Sequence, residues 1–303
     1  AEIGVMLLMF GVGLHFSLDD LLAVRRIAVP GAVVQIAVAT ALGAITAIGW
    51  GWPIGEAVVF GLALSVASTV VLLRALEARG ILESTNGRIA VGWLVVEDLA
   101  MVLVLVLLPA LAPLLGARDS GPTADMQALA LTVGLTLAKV SAFIALMLVV
   151  GRRAFPRLLW LVARTGSREL FTLCVISAAV GVAYASALLF DVSFALGAFF
   201  AGMMMRESEF SHRAAEDSLP LRDAFSVLFF VSVGMLFDPT VLVESPVKVA
   251  VVVAIILVGK TLAAIALVLA FRYPLNTALT VGASLAQIGE FSFILAELGR
   301  SLG

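Results

Sequence analysis

The chain is built from long apolar runs separated by short polar stretches rich in glycine, proline and charge. A helix that crosses a bilayer needs about 20 mostly apolar residues. Ten such spans can be drawn, near 2–17, 29–50, 54–74, 88–115, 126–150, 169–189, 191–206, 221–237, 246–271 and 276–298. The stretches between them, among them SLDDLLAVRR, GWGWPIG, EARGILESTNG and RRAFPRLLWLVARTGSRE, read as connections. The pattern predicts an all-α polytopic membrane protein with no soluble domain.

Basic residues fix the expected orientation. Alternate connections collect fourteen of the nineteen Lys and Arg residues, the opposite connections hold three, and Lys139 and Lys260 fall inside spans. By the positive-inside rule the basic connections face the cytoplasm. One missed span would scramble so uneven a split.

Composition agrees with the spans. Of 303 residues 62% are hydrophobic and 13% charged, and the mean hydropathy is +1.15. Soluble domains run near 45–50% apolar and 25% charged. Cys174 is the lone cysteine and lies in an apolar run, so no internal disulfide is expected. His15 and His212 have no ligand-spaced companions. A nuclease, a nucleic-acid binder and a soluble hydrolase are excluded. No GxxxxGK[ST], HExxH or GxSxG occurs, so neither a nucleotide-fuelled pump nor a common enzyme motif is present.

The chain also resembles itself. A shift of 221 residues lays Gly13 on Gly234, Phe16 on Phe237, Thr40 on Thr261, Pro53 on Pro274 and Gly61 on Gly282, and brings Trp50 and Trp52 onto Phe271 and Tyr273. It moves the first three spans onto the last three. The displacement is seven spans, an odd number, so the two copies have opposite orientation, as in many secondary transporters. The sixth and seventh spans then require counterparts before Ala1, and the fourth requires one after Gly303. The chain is therefore expected to be a fragment with ten of about thirteen helices. Its inverted-repeat halves would be about 1–115 and 169–303, joined by a linker helix at 126–150.

Charge inside the spans is the candidate chemistry. Glu97 and Asp98 lie about ten residues into the fourth span, and Lys260 lies mid-way along the ninth. A charge at a helix centre costs about 2.5–3.5 kcal/mol on insertion scales, so such residues face a cavity or a partner. Lys260 needs a counter-ion, with Glu97 the first choice and Asp98 the second. Consecutive residues point about 100° apart on a helix, so Glu97 and Asp98 are not expected to face one small site together. Lys139 reads as structural.

The third span carries Ser65, Ser68 and Thr69, and the tenth carries Gln287, Gly289 and Glu290, with Thr69 on Glu290 under the same shift. Polar, glycine-bearing mid-spans at matched positions predict two broken helices whose ends present backbone groups to a midplane ion site. A carboxylate there can hold a proton or a hard monovalent cation, each neutralising the same charge. Competition at one carboxylate, reached from opposite faces in turn, gives cation/proton exchange. A gated, channel-like cation pathway and a carrier for a small organic solute are the alternatives.

The stretches MFGVGLHFSLDDL, ALSVASTVVLLRALEARG, WLVVEDLAMVLVLVLLP, SFALGAFFAGMMMRESEFSHRAAEDSLPLRDAFSVLFFVSVGMLFDP and SLAQIGEFSFILAELG together resemble the Kef-type branch of the monovalent cation:proton antiporters, within it the YbaL subgroup. The resemblance covers essentially the whole chain. It implies a sodium/proton-antiporter-like fold with two crossed broken helices, a dimerisation domain and a mobile core that moves as an elevator. It implies K+ or Na+ and H+ as the ions, a homodimer in a bacterial inner membrane, and Asp98 as the ion-binding residue with Lys260 as the core lysine. Glu97 stands where relatives carry Asp or Gln, which leaves the stoichiometry open. Full-length members carry a nucleotide-binding regulatory domain after the last helix, and no cofactor is expected in this chain.

Overall fold

The computed structural model describes residues 2–15, 18–82, 84–112, 115–116, 126–190, 192, 194–206 and 237–302, with scattered positions between 220 and 235. Among these residues every regular element is helical. The helices are α1 (Glu2–His15), α2 (Leu18–Gly49), α3 (Ile54–Ser65), α4 (Thr69–Ala78), α5 (Thr85–Leu111), α6 (Met126–Leu146), α7 (Arg152–Ala163), α8 (Arg168–Phe190) and α9 (Phe194–Arg206). They continue with α10 (Thr240–Glu244), α11 (Pro246–Ala254), α12 (Lys260–Ala270), α13 (Leu275–Ser284) and α14 (Glu290–Leu302), and π-helical turns at Met147–Gly151 and Ile255–Gly259 join α6 to α7 and α11 to α12. Most of the eighth expected span, and the connection 207–219 with His212, lie outside the described residues.

Two expected connections are helical instead. The second span begins at Leu18, so SLDDLLAVRR is mostly the first turns of α2. Leu and Ala favour helix, and Arg25 and Arg26 are exposed, so their charge sets no limit on the helix. Residues 152–163 of RRAFPRLLWLVARTGSRE form α7, which buries Phe155 and Leu159 and exposes Arg153 and Arg157. Among the described residues five helical stretches are long and apolar enough to cross a membrane: Val24–Gly49, Thr85–Pro109, Gly134–Ala163, Arg168–Phe190 and Pro246–Ala270. The third and tenth spans fall short because each is broken in two.

The chain divides into two compact units, one of Ala1–Phe16 with Met126–Phe237 and one of Ser17–Asp125 with Asp238–Gly303. In the first, α9 packs between α1 and α8 through small residues. A Cβ on Gly13 would strike Phe199 O, one on Gly202 would strike Phe10 O, and one on Gly197 would strike the Ser186 hydroxyl. Lipid tails are as apolar as leucine, so spanning helices gain most by close backbone approach.

The second unit displays the repeat. Helices α2 and α12 end at Gly49 and Ala270, α3 and α13 begin at Ile54 and Leu275, and α4 and α14 begin at Thr69 and Glu290. Each of these pairs is 221 residues apart. The turns match atom for atom. Trp52 N donates to Ala47 O (3.1 Å) and Gly51 N to Ile48 O (2.9 Å); Tyr273 N donates to Val268 O (3.2 Å) and Arg272 N to Leu269 O (2.8 Å). Both are Schellman caps, which need a left-handed residue after the helix. Gly51 supplies it in one copy at φ 86° and Arg272 in the other at φ 63°. Pro53 and Pro274 then open the next helix with nearly identical backbone angles. Each long helix meets the following half-helix at the same contact: Gly61 lies against Thr40 O and Gly282 against Thr261 O.

Arg272 is the only described non-glycine residue with positive φ. A side chain in that region costs about 1–2 kcal/mol, while glycine gives back part of this through the unfolded chain. Arg272→Gly is therefore expected to stabilise the protein by about 0.5–1 kcal/mol, seen as a higher melting temperature in detergent. A lower melting temperature would show that the arginine side chain outweighs its backbone strain.

Candidate functional site

Helix α3 stops at Ser65, and Val66 is extended (φ −90°, ψ 139°) before α4 restarts at Thr69. Helix α13 stops at Ser284, and α14 restarts at Glu290. The two broken elements run antiparallel. Gly299 of α14 abuts Val59 of α3, and Gly289 would press any Cβ into Ala67 O (2.7 Å). Further along, α4 and α13 flank a cleft of about 520 Å³ between Val71–Arg79 and Leu279–Gln287. The interruptions thus cross side by side, and the Gln287 side chain laces them by donating to Ser68 O and Ser284 O, both at 3.1 Å.

Four half-helix ends meet at the crossing. The C-terminal ends of α3 and α13 carry partial negative charge, and the N-terminal ends of α4 and α14 carry partial positive charge. Buried charges answer each. Lys260 is wholly buried and donates to Val66 O (3.1 Å) and Gln287 O (2.7 Å). Val66 and Gln287 are equivalent positions of the two copies, so one ammonium serves the same carbonyl twice and sits near the pseudo-twofold axis. The position equivalent to Lys260 is Ala39. The π-helical turn Ile255–Gly259 immediately precedes Lys260. Its extra residue per turn resets the helix register there, as such bulges do at functional sites.

The acids lie at the N-terminal ends. Glu97 Oε2 accepts from Ala67 N (3.1 Å) and Asp98 Oδ2 from the Thr69 hydroxyl (2.7 Å). Both side chains are buried. The expectation that neighbours on a helix cannot share a site is corrected here: the break and the start of α4 meet both carboxylates, Glu97 at Ala67 and Asp98 at Thr69. Glu290 opens α14, is 2% exposed, and exerts its charge on Asp98. Among the described residues Glu97 Oε1, Asp98 Oδ1 and both Glu290 oxygens have no hydrogen-bond partner. Unpaired buried carboxylate oxygens are costly, so they mark places where a proton or cation can be taken up.

The structure gathers Ser68, Thr69, Glu97, Asp98, Lys260, Gln287 and Glu290 at one crossing within one unit. It amends three details. The Ser65 hydroxyl turns back to Leu62 O (2.8 Å), so Ser65 offers the crossing its carbonyl only. The Ser68 hydroxyl accepts from Val71 N (3.3 Å) and so caps α4. Lys260 is close enough to Glu97 for their charges to interact, yet both its hydrogen bonds go to carbonyls. Lys139 is exposed on α6 in the other unit.

Gln35 was missed by the sequence reading. It is fully buried in α2 and donates to Ser65 O (3.1 Å), holding the end of α3. A lone amide in the run GAVVQIAVAT was the available signal.

Antiparallel broken helices with buried charge at their ends are an arrangement that recurs in inverted-repeat secondary transporters. All of residues 1–303 match the family described as sodium/hydrogen exchanger, transmembrane. The chain belongs to that family and is a multi-pass membrane protein. It is 62% identical to the putative cation/proton antiporter YbaL of Escherichia coli, over 100% of this chain and 53% of that protein. It is 34% identical to the K(+) efflux antiporter 4 of Arabidopsis thaliana, over 100% of this chain and 50% of that one. It is 33% identical to the putative K(+) efflux antiporter KefB of Alkalimonas amylolytica, over 100% of this chain and 44% of that one. The chain thus spans about half the length of these relatives.

Proposed function

We propose that this chain is the membrane part of a monovalent cation/proton antiporter, exchanging K+ or Na+ for H+ at Asp98. The observation that carries the reading is Asp98 itself: buried, held on one oxygen by Thr69 at the break in the third span, and unpartnered on the other. A proton and a cation compete for that carboxylate. Whichever is bound lowers the charge that must move through a low-dielectric layer, which resists a bare charge. Exchange follows when the site faces the two sides in turn, here by an elevator motion of the unit that carries the crossing. The relatives named as antiporters support the ion class, and the K+ efflux names among them are the reason K+ is proposed beside Na+.

The remaining expectations belong to the same proposal. The protein works as a homodimer in a bacterial inner membrane with its basic connections cytoplasmic. A nucleotide-binding regulatory domain follows the last helix in the full-length protein.

The test is transport by the full-length protein in proteoliposomes, with Na+ and K+ supplied separately across a range of pH. A cation gradient of either ion is expected to drive opposite proton movement. Single-channel currents, or cation flux without proton counterflow, would overturn exchange. Indifference to both cations, with proton movement driven by an organic solute, would overturn the ion class.

A further inference from the structure

Three carboxylates and one ammonium share the crossing: Glu97 and Asp98 from α5, Glu290 from α14, and Lys260 from α12. Three negative charges against one positive leave two to be balanced. Lys260 is committed to two carbonyls. Glu97 has a backbone amide and Asp98 has a hydroxyl. Glu290 differs from both, since neither of its oxygens has a hydrogen-bond partner among the described residues although it is 2% exposed.

A carboxylate fixed for good in its charged form is held by donors, and one fixed in its neutral form gives its O–H to an acceptor. Glu290 has neither arrangement in full: the Ser68 hydroxyl and its own backbone N–H bear on the carboxyl, but neither reaches hydrogen-bond geometry. Its place in the first turn of α14 favours negative charge, because unpaired amides point outward there. What else faces it is limited: the Ser68 hydroxyl from the first broken span and Asp98 from α5. The other charges of the helices packed against it, Glu56 on α3, Arg88 on α5, and Glu297 and Arg300 on α14, are exposed.

Glu290 also holds the position in its copy that Thr69 holds in the other. Thr69 binds Asp98, and Glu290 bears on the same Asp98 by its charge. The second half-helices of both copies therefore direct their first residues at one carboxylate.

We propose that Glu290 carries the second exchangeable charge of the site: Asp98 and Glu290 together hold two protons or share one monovalent cation. This deepens the antiport reading and rests on it. With two protons bound the cluster is neutral. Binding one cation between the two carboxylates releases both protons. One cation then exchanges for two protons, and each cycle moves one net charge across the membrane. Nothing beyond the two ions is needed to balance the step.

The number of protons tests it in two ways. In proteoliposomes of the full-length protein, the reversal potential is expected to give two protons per cation for the wild type and one for Glu290→Gln. In purified protein held in weakly buffered detergent, saturating Na+ or K+ is expected to release two protons per chain from the wild type and one from Glu290→Gln. The second readout needs no transport. Glu290→Asp keeps the charge and should keep the count at two. A wild-type count of one overturns the proposal, as does an unchanged count in Glu290→Gln. If Glu290→Gln does not fold, the wild type and Glu290→Asp decide, and a count of one in either is fatal. A wild type that neither releases protons to any monovalent cation nor exchanges them sinks the antiport reading itself, which is a different failure.

Discussion

Asp98→Asn is expected to reduce cation-driven proton movement to the level of protein-free vesicles while leaving the protein folded. The two halves of this result come from different properties of one side chain. Asparagine keeps the size of aspartate and offers a carbonyl oxygen to the Thr69 hydroxyl, so the 2.7 Å bond that ties α5 to the start of α4 can persist. It removes one of three negative charges crowded at the crossing, which relieves repulsion. The melting temperature should therefore hold or rise. An amide neither ionises nor takes up a proton in this pH range, so competition between proton and cation has nowhere to occur. Proteoliposome flux and thermal unfolding of the same preparation separate the two effects. Retained exchange in Asp98→Asn would remove Asp98 from the centre of the mechanism.

Lys260→Ala is expected to be the most damaging single change to stability, by about 3–5 kcal/mol, the usual cost of removing one member of a buried charged set. Two losses combine. The carbonyls of Val66 and Gln287 lose a donor, and Glu97 loses the nearby positive charge. The second loss is recoverable. Adding Glu97→Gln removes the charge that Lys260 offset, so the double variant should recover about 1–2 kcal/mol relative to the sum of the singles. Recovery is partial because the orphaned carbonyls remain. Thermal or denaturant unfolding of the four proteins closes the cycle. Strict additivity would show that Lys260 serves the helix ends alone.

The spans and the repeat were legible because both rest on local pattern. An apolar run of bilayer length announces itself, and Gly61, Pro53 and Thr40 recur because the same backbone contacts recur. The breaks at 66–68 and 285–289 were legible as polar residues where a plain span has none. Three things were not. The helical state of 18–26 and 152–163 was masked by charges that look like loops, although a helix leaving the bilayer tolerates them. The charge pairing of Lys260 with Glu97 was legible, but its hydrogen bonds were not, because they go to backbone carbonyls that only a broken helix frees. The left-handed turn at Arg272 was hidden because the residue type argues against it. The cap inherited from the other copy, where glycine stands, is the reason it is there.

Lys260 lies near the axis that relates the two halves, and Ala39 takes its place in the other half. Two identical halves could not have built this centre, because each would have brought its own ammonium to the same point in space. The departure from symmetry at 39 and 260 therefore gives the two halves unlike duties: one supplies the ammonium, and both supply a carbonyl to it.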